Sequence, residues 1–407
     1  MAIRNDPYAP YYELIIGGAK MDDNFMKLVS EVSFEDEALM ISSLKFKVKY
    51  RRNIKGGTSD DILNMKALSP GNLVILRGGY GSDIKDIGAG YIMDLDPDFS
   101  DNADPTVSVT CYDQLQKLSL RKSEKGEVFK NFRDSQICSI LGERNGFYIR
   151  IADASTWFGI RKTTGKKVRT IKRGASDLDM LKELAKLNSF DLYCKWMPEK
   201  KRFNLFFEPP KDRTKQVVKY VYGSGDVPVV PQDFNGEVIG KLVSFNPKFS
   251  VTTQFTRYKV FSWDKKAARK ISYTLSMDEF MAGQEDLKIG GNKSDTLLKK
   301  NAATSGAGVR KKAFGEVTEI IGKRLFTSEA DAKNYLIMHM KKMAKDFIKG
   351  SGKAAGNQYL QSRQVHEFEG LGAMFSGKYF MDKVTHKFSP SGYNCTFNAR
   401  RVLRELI

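Results

Sequence analysis

Leu44, Phe46, Val48 and Tyr50 alternate with Lys45, Lys47, Lys49 and Arg51. A strict period of two is the signature of a strand with one buried face, and here the other face is wholly basic. The alternation returns at Val107, Val109 and Cys111 against Ser108 and Thr110, and further strands are expected at Leu73–Leu76 and Gly90–Leu95. Strands that each bury one face imply an antiparallel sheet, so residues 1–118 are read as a β-barrel.

The texture changes at about residue 119. Helical spacing is expected at Ser135–Gly146 and Ser176–Asn188, the second opening on Ser176 and Asp179 spaced as a capping box. Strands resume at Asp191–Trp196 and Arg202–Glu208 around the polar turn Pro198–Lys201, which makes 119–235 a small α+β domain. From 236 to 407 the β texture returns. Within it, 265–315 is polar and rich in Gly, Ala and Ser and reads as a long, partly mobile insertion. Apolar residues from Ala332 to Ile348 at helical spacing predict a core-facing helix over 328–349, and Lys378–Phe388 with Tyr393–Ala399 predicts a closing hairpin. Gly90-Tyr91-Ile92-Met93-Asp94 echoes Lys378-Tyr379-Phe380-Met381-Asp382. That echo is either coincidence or the trace of a duplicated barrel.

Composition narrows the function classes. An apolar fraction of 41% is too rich for a disordered chain, and no apolar run approaches the roughly 20 residues of a membrane helix, so no membrane insertion is expected. The segment behind Arg4 lacks the apolar core of a secretory signal. Cys111, Cys138, Cys194 and Cys395 are far apart, without a Cys-x-x-Cys pair, and read as reduced thiols of a protein made in the cytoplasm. The net charge of +19 should attract polyanions or acidic protein surfaces.

No catalytic, cofactor-binding or metal-binding set emerges, and no enzyme is expected. His339, His366 and His386 lack zinc spacing, and no Gly-x-Ser-x-Gly elbow provides a nucleophile for His366 and Glu367. Asp94, Asp96, Asp98, Asp101 and Asp104 crowd one stretch, but Phe99 and Pro105 stand where a calcium loop needs Gly and Glu. The interaction candidate is the basic strand Lys45, Lys47, Lys49 and Arg51, a solvent face or a protein interface in one reading and a phosphate-tracking face in another. A basic nucleic-acid-binding protein is the alternative function from residues alone.

Ordered segments carry a resemblance. Ser176-Asp177-Leu178 with Leu181, Leu184 and Ala185, then Phe190-Asp191-Leu192-Tyr193 and Phe203–Pro210, resemble the mid-chain segment of the phage late control gene D family. These are baseplate hub proteins of contractile tails, similar to the N-terminal part of the valine-glycine-repeat spike proteins of type VI secretion. Gly90–Asp94 through Val107–Asp113 and Leu118, Asp134–Gly146, and Leu242–Pro247 through Val260 and Trp263-Asp264 are similar in the same order. The longest stretch runs from Phe326–Ala330 through Gly370-Leu371-Gly372 and Phe375–Tyr379 to Arg401.

The resemblance implies a mainly β protein with two similar antiparallel, tube-like barrels and a small α+β domain. It implies a homotrimer whose six barrels continue a sixfold tail tube and accept a threefold central spike. Expected partners are that spike as a separate chain, the tail tube or tube initiator, baseplate wedge proteins, and DNA only as transient cargo; the expected location is the virion tail baseplate. Because a basic channel would retard DNA, Lys45, Lys47, Lys49 and Arg51 are expected to point outward or into a protein interface.

Overall fold

The alternation at Leu44 folds as its chemistry requires. In the computed structural model Leu44, Phe46 and Val48 are buried and Lys45 and Lys49 are exposed on the opposite face. The structure describes residues 9–37, 40–49, 66–99, 104–149, 151–152, 160–161, 163, 167–188, 190–209, 218–223, 232–234, 237–252, 254–264, 268–282, 306–322, 326, 328–345 and 347–402. Arg51 lies outside them.

The first unit comprises β1 (Pro10–Ile16), β2 (Ala19–Lys20), α1 (Asp23–Leu28), β3 (Val29–Glu37), β4 (Ser43–Lys49), β5 (Leu73–Tyr80), β6 (Asp83–Asp98) and β7 (Thr106–Tyr112). Asp22 starts α1 by accepting the Phe25 N–H at 2.8 Å. Six strands lie in the order β1-β5-β6-β7-β4-β3, all ladders antiparallel. Among the described residues β1 and β3 share no ladder. β3 pairs instead with a strand near the C-terminal end, so the sheet runs on into the second β unit.

The middle unit contains α2 (Leu115–Leu120), β8 (Glu127–Phe132), α3 (Asp134–Arg144), β9 (Ile151–Ala152), β10 (Ile160–Arg161), β11 (Lys167–Ile171), α4 (Asp177–Asn188), β12 (Asp191–Met197) and β13 (Arg202–Glu208). The expected capping box forms: Ser176 N–H donates to Asp179 at 2.9 Å, and Asp179 N–H to the Ser176 hydroxyl at 3.1 Å. Leu178, Leu181, Leu184 and Ala185 then face one core with Ile137, Leu141, Leu192 and Phe207. Leu73, Ile75 and Tyr91 of the first unit pack against that core, which seats the middle unit behind β5 and β6.

The second β unit opens with β14 (Val218–Val221), β15 (Gln232–Phe234) and β16 (Glu237–Phe249). The chain then builds a small unit from β17 (Arg257–Asp264), β18 (Arg269–Ser276), α5 (Met277–Ala282), α6 (Gly306–Phe314), β19 (Thr318–Ile321) and α7 (Glu329–Lys345). It returns through β20 (Ile348–Ala355), β21 (Val365–Glu369), α8 (Gly372–Phe375), β22 (Gly377–Ser389) and β23 (Gly392–Arg401). Six of these strands close a barrel in the cyclic order β21-β14-β16-β20-β23-β22.

Three expectations change here. Residues 265–315 include β18, α5 and α6; the stretch reads as polar because Ile271 and Leu275 are buried while Arg269, Lys270, Ser272 and Thr274 are exposed. Residues 283–305 lie outside the described set. The helix expected over 328–349 ends at Lys345, since Phe347 and Ile348 fit strand spacing as well as helical spacing, and Ile348 begins β20. Its buried Ala332, Leu336 and Met340 cover β17 and β18, not the barrel core. β14, inside the range read as the middle domain, pairs with β16 and β21.

The two β units are locked together. β3 and β22 pair from Val32–Glu37 to Lys383–Phe388, and Phe388 lies over Gly78 so closely that a Cβ there would sit 2.5 Å from its ring. Half-buried Asp36 accepts from Ser42, Ser362 and Arg363, and Arg363 lies 4.1 Å over the Tyr193 ring, so one cluster ties all three larger units.

Candidate functional site

The β3–β22 ladder creates a continuous run of eight strands, β6-β7-β4-β3-β22-β23-β20-β16, each antiparallel to the next. At about 4.8 Å per spacing the run is roughly 34 Å wide. One side supplies the main core through Ile92, Val109, Phe46, Phe34, Val384, Phe397, Ala354 and Phe245. The other side is largely polar: Asp94, Asp96 and Asp98 of β6 are exposed on it, while Tyr91 at the near end of the same strand face packs against the middle unit.

That polar side is striped by charge, because alternate residues of each strand share a face. β6 shows Asp94, Asp96 and Asp98; β7 shows Ser108 and Thr110; β4 shows Lys45, Lys47 and Lys49; β3 shows Glu31, Glu35 and Glu37. β22 follows with Lys383 and Lys387, β23 with Thr396 and Asn398, β20 with Lys349 and Lys353, and β16 with Ser244, Asn246 and Lys248. Lys387 pairs with Glu31 at 2.8 Å, and Lys383 with Glu35 at 2.6 Å and Glu37 at 3.4 Å. The bond to Glu35 holds the Lys383 ammonium above its ordinary pKa. Over the second unit the face hollows into a groove of about 430 Å³ lined by Ser244, Asn246, Ser351, Lys353, Thr385, Thr396 and Asn398.

Lys45, Lys47 and Lys49 therefore sit in the middle of this face. Lys47 stands directly opposite Glu31, and the acidic column of β6 lies two strands away on the other side. A lysine row between carboxylate rows presents little net field to a polyanion. The sequence exposed the alternation of β4 but not its neighbours, because strand order is set by contacts far apart in the chain.

The residues scanned for catalysis are held inside. His339 on α7 lies 2.9 Å from Glu319 and packs against Tyr258 and Tyr335. His366 is fully buried, and burial lowers its pKa to about 3. His386 Nδ1 lies 2.8 Å from the Tyr393 hydroxyl and 3.4 Å from Cys395 Sγ, a pairing across β22 and β23 that chain spacing did not reveal. Burial lowers this imidazole to about 4 and raises the thiol to about 12, so the two stay neutral and form no thiolate–imidazolium pair. Among the described residues no group of three His, Cys, Asp or Glu is placed to hold a metal ion, and no helix is long and apolar enough to cross a membrane.

The whole fold is shared with tail proteins. A 43 kDa tail protein of prophage MuSo2 from Shewanella oneidensis superposes with a TM-score of 0.62 at 13% identity, covering 97% of this chain and 99% of that one. A tail protein from Neisseria meningitidis MC58 gives 0.59 at 8% identity over 98% of both chains. Prophage tail protein gp18 from Listeria monocytogenes EGD-e gives 0.53 at 11% identity, over 95% of this chain and 94% of that one. No curated protein sequence matches the chain. Residues 58–390 match the family described as the Alg8 N-terminal domain, and since this is well over half of the sequence, the chain belongs to that family.

Proposed function

We propose that this chain is a non-enzymatic baseplate hub of a contractile tail, of the late control gene D type: a trimer that joins a sixfold tail tube to a threefold central spike. The observation that carries this reading is a repeated strand order. The first unit supplies β6-β7-β4-β3 to the striped face and the second supplies β22-β23-β20-β16, and in chain order both sets run third, fourth, second, first. Two units alike in this respect turn three copies into six wall segments, which is what a junction between threefold and sixfold parts requires. The fold shared with prophage tail proteins supports the same reading.

The striped face is the wall of the channel in this arrangement. The middle unit packs behind β5 and β6, and a bulky layer fits the outer circumference of a ring better than its bore. Lys45, Lys47 and Lys49 then face the channel, unlike the outward placement expected from sequence. The carboxylates of β3 and β6 offset them, so DNA passes as transient cargo without being held. Partners are the spike, the tube or its initiator, and the wedge proteins, within the virion baseplate. Native mass measured over a concentration series tests the assembly. Convergence on three 46.0 kDa chains supports it, and a stable dimer contradicts it.

A further inference from the structure

We propose that copies join through β16 of one and β6 of the next, with Asp96 facing Lys248 of the neighbouring copy. This rests on the ring reading above. Both strands have the free edge such a joint needs. Among the described residues, 242–249 of β16 pair only with β20, and 93–98 of β6 only with β7, the preceding Ile92 being bonded to Gly71 and Asn72. Each free stretch carries one proline, Pro97 or Pro247, which a sheet tolerates at its edge. Eight antiparallel strands place opposite strand directions at the two ends, so a rotated copy meets its neighbour antiparallel.

The register follows from the joint already inside the chain. β6 and β22 each carry a bulge, between Ile92 and Asp94 and between Met381 and Lys383. Aligning the bulges makes Asp96 equivalent to Thr385 and Asp98 to Lys387. Following the ladders across each unit makes Ser33 equivalent to Asn246 and Glu35 to Lys248. Within the chain, Thr385 faces Glu35 and Lys387 faces Ser33. The same joint between copies puts Asp96 against Lys248 and Asp98 against Asn246.

Charge makes the two joints distinct. Inside the chain β3 is acidic and β22 basic; between copies β16 is basic and β6 acidic. A first unit meeting another first unit would set Glu35 against Asp96, two carboxylates, and that repulsion enforces alternation of the two units around the ring.

The test is an Asp96→Cys, Lys248→Cys double variant of the full chain, oxidised and run on a non-reducing denaturing gel. Within one chain the two positions lie on the two end strands of the run with six strands between them, beyond the reach of a disulfide, and the native cysteines are buried. A covalent closed trimer is expected from the double variant alone. A native trimer that never cross-links overturns the joint and leaves the hub reading standing. Ladders running beyond three chains keep the joint and overturn the threefold hub; unlinked monomer at every concentration overturns both. Asp96→Lys should weaken association about tenfold, and Asp96→Lys with Lys248→Asp should restore it; no recovery contradicts the pairing.

Discussion

In the first β unit the order β1-β5-β6-β7-β4-β3 stops short of a β1–β3 ladder among the described residues. In the second, β14 runs parallel to both β16 and β21 and closes the ring. The strands that differ lie behind the striped face; the four that form it are laid out alike. Lateral continuity is therefore built from the front strands, while each unit is sealed at the back by whatever packs there. The pentapeptide echo sits on equivalent strands one residue out of phase: Tyr379 is fully buried in the main core, whereas Tyr91 packs toward the middle unit.

The sharpest way to break this comparison is to cut where the units meet. Phe388 is 2% exposed, stacks on Tyr393 at 4.0 Å and meets the tilted ring of Tyr12 at 5.1 Å, reaching across both units. Phe388→Ala should cost about 4 kcal/mol in denaturant unfolding. If the β units fold as one body the single transition moves; a new transition from one unit alone would show them to be independent. Arg363→Ala leaves the half-buried Asp36 carboxylate without its cation and should cost about 3 kcal/mol, removing the polar tie while leaving each core intact.

Acid separates the units by sign. His366 and His386 of the second unit are held neutral by burial, with pKa near 3 and 4. Their contribution is present above the ordinary histidine value of 6.5 and is lost as pH falls from there toward 3, at up to about 1.4 kcal/mol per pH unit each. Asp113, behind the first unit, is pushed by burial to about 7 while it accepts from the Ser42 and Leu115 N–H groups, both at 2.8 Å. Its protonated form is favoured on folding, so it works the other way, with stability lost as pH rises from about 4 to 7. Thermal midpoints across pH 3 to 8 check both limbs; His386→Asn should flatten the acid limb, and an unchanged limb would contradict the assignment. The smallest effects are local. Ser176→Ala should cost about 1 kcal/mol through the cap of α4, and Lys45→Gln less than about 0.5 kcal/mol because its side chain is exposed.

What was legible in the sequence was local. β4, β7, the Ser176 cap and the closing hairpin follow from period, capping chemistry and turn residues within a few positions of each other. The switch from α7 to β20 was hidden because Phe347 and Ile348 satisfy both periods. β14 was hidden because four residues, Val218–Val221, acquire meaning only through parallel neighbours more than a dozen residues away. The striped face required register: Lys47 reads as part of a basic strand until Glu31 is placed beside it.

The most direct measurement is a reconstruction of the assembled hub at a resolution that shows strands. A threefold ring of six β units, with Lys45, Lys47 and Lys49 lining the bore and the middle units outside, is the expected result. Those lysines on the outer circumference, or copies that do not close into a ring, would contradict it.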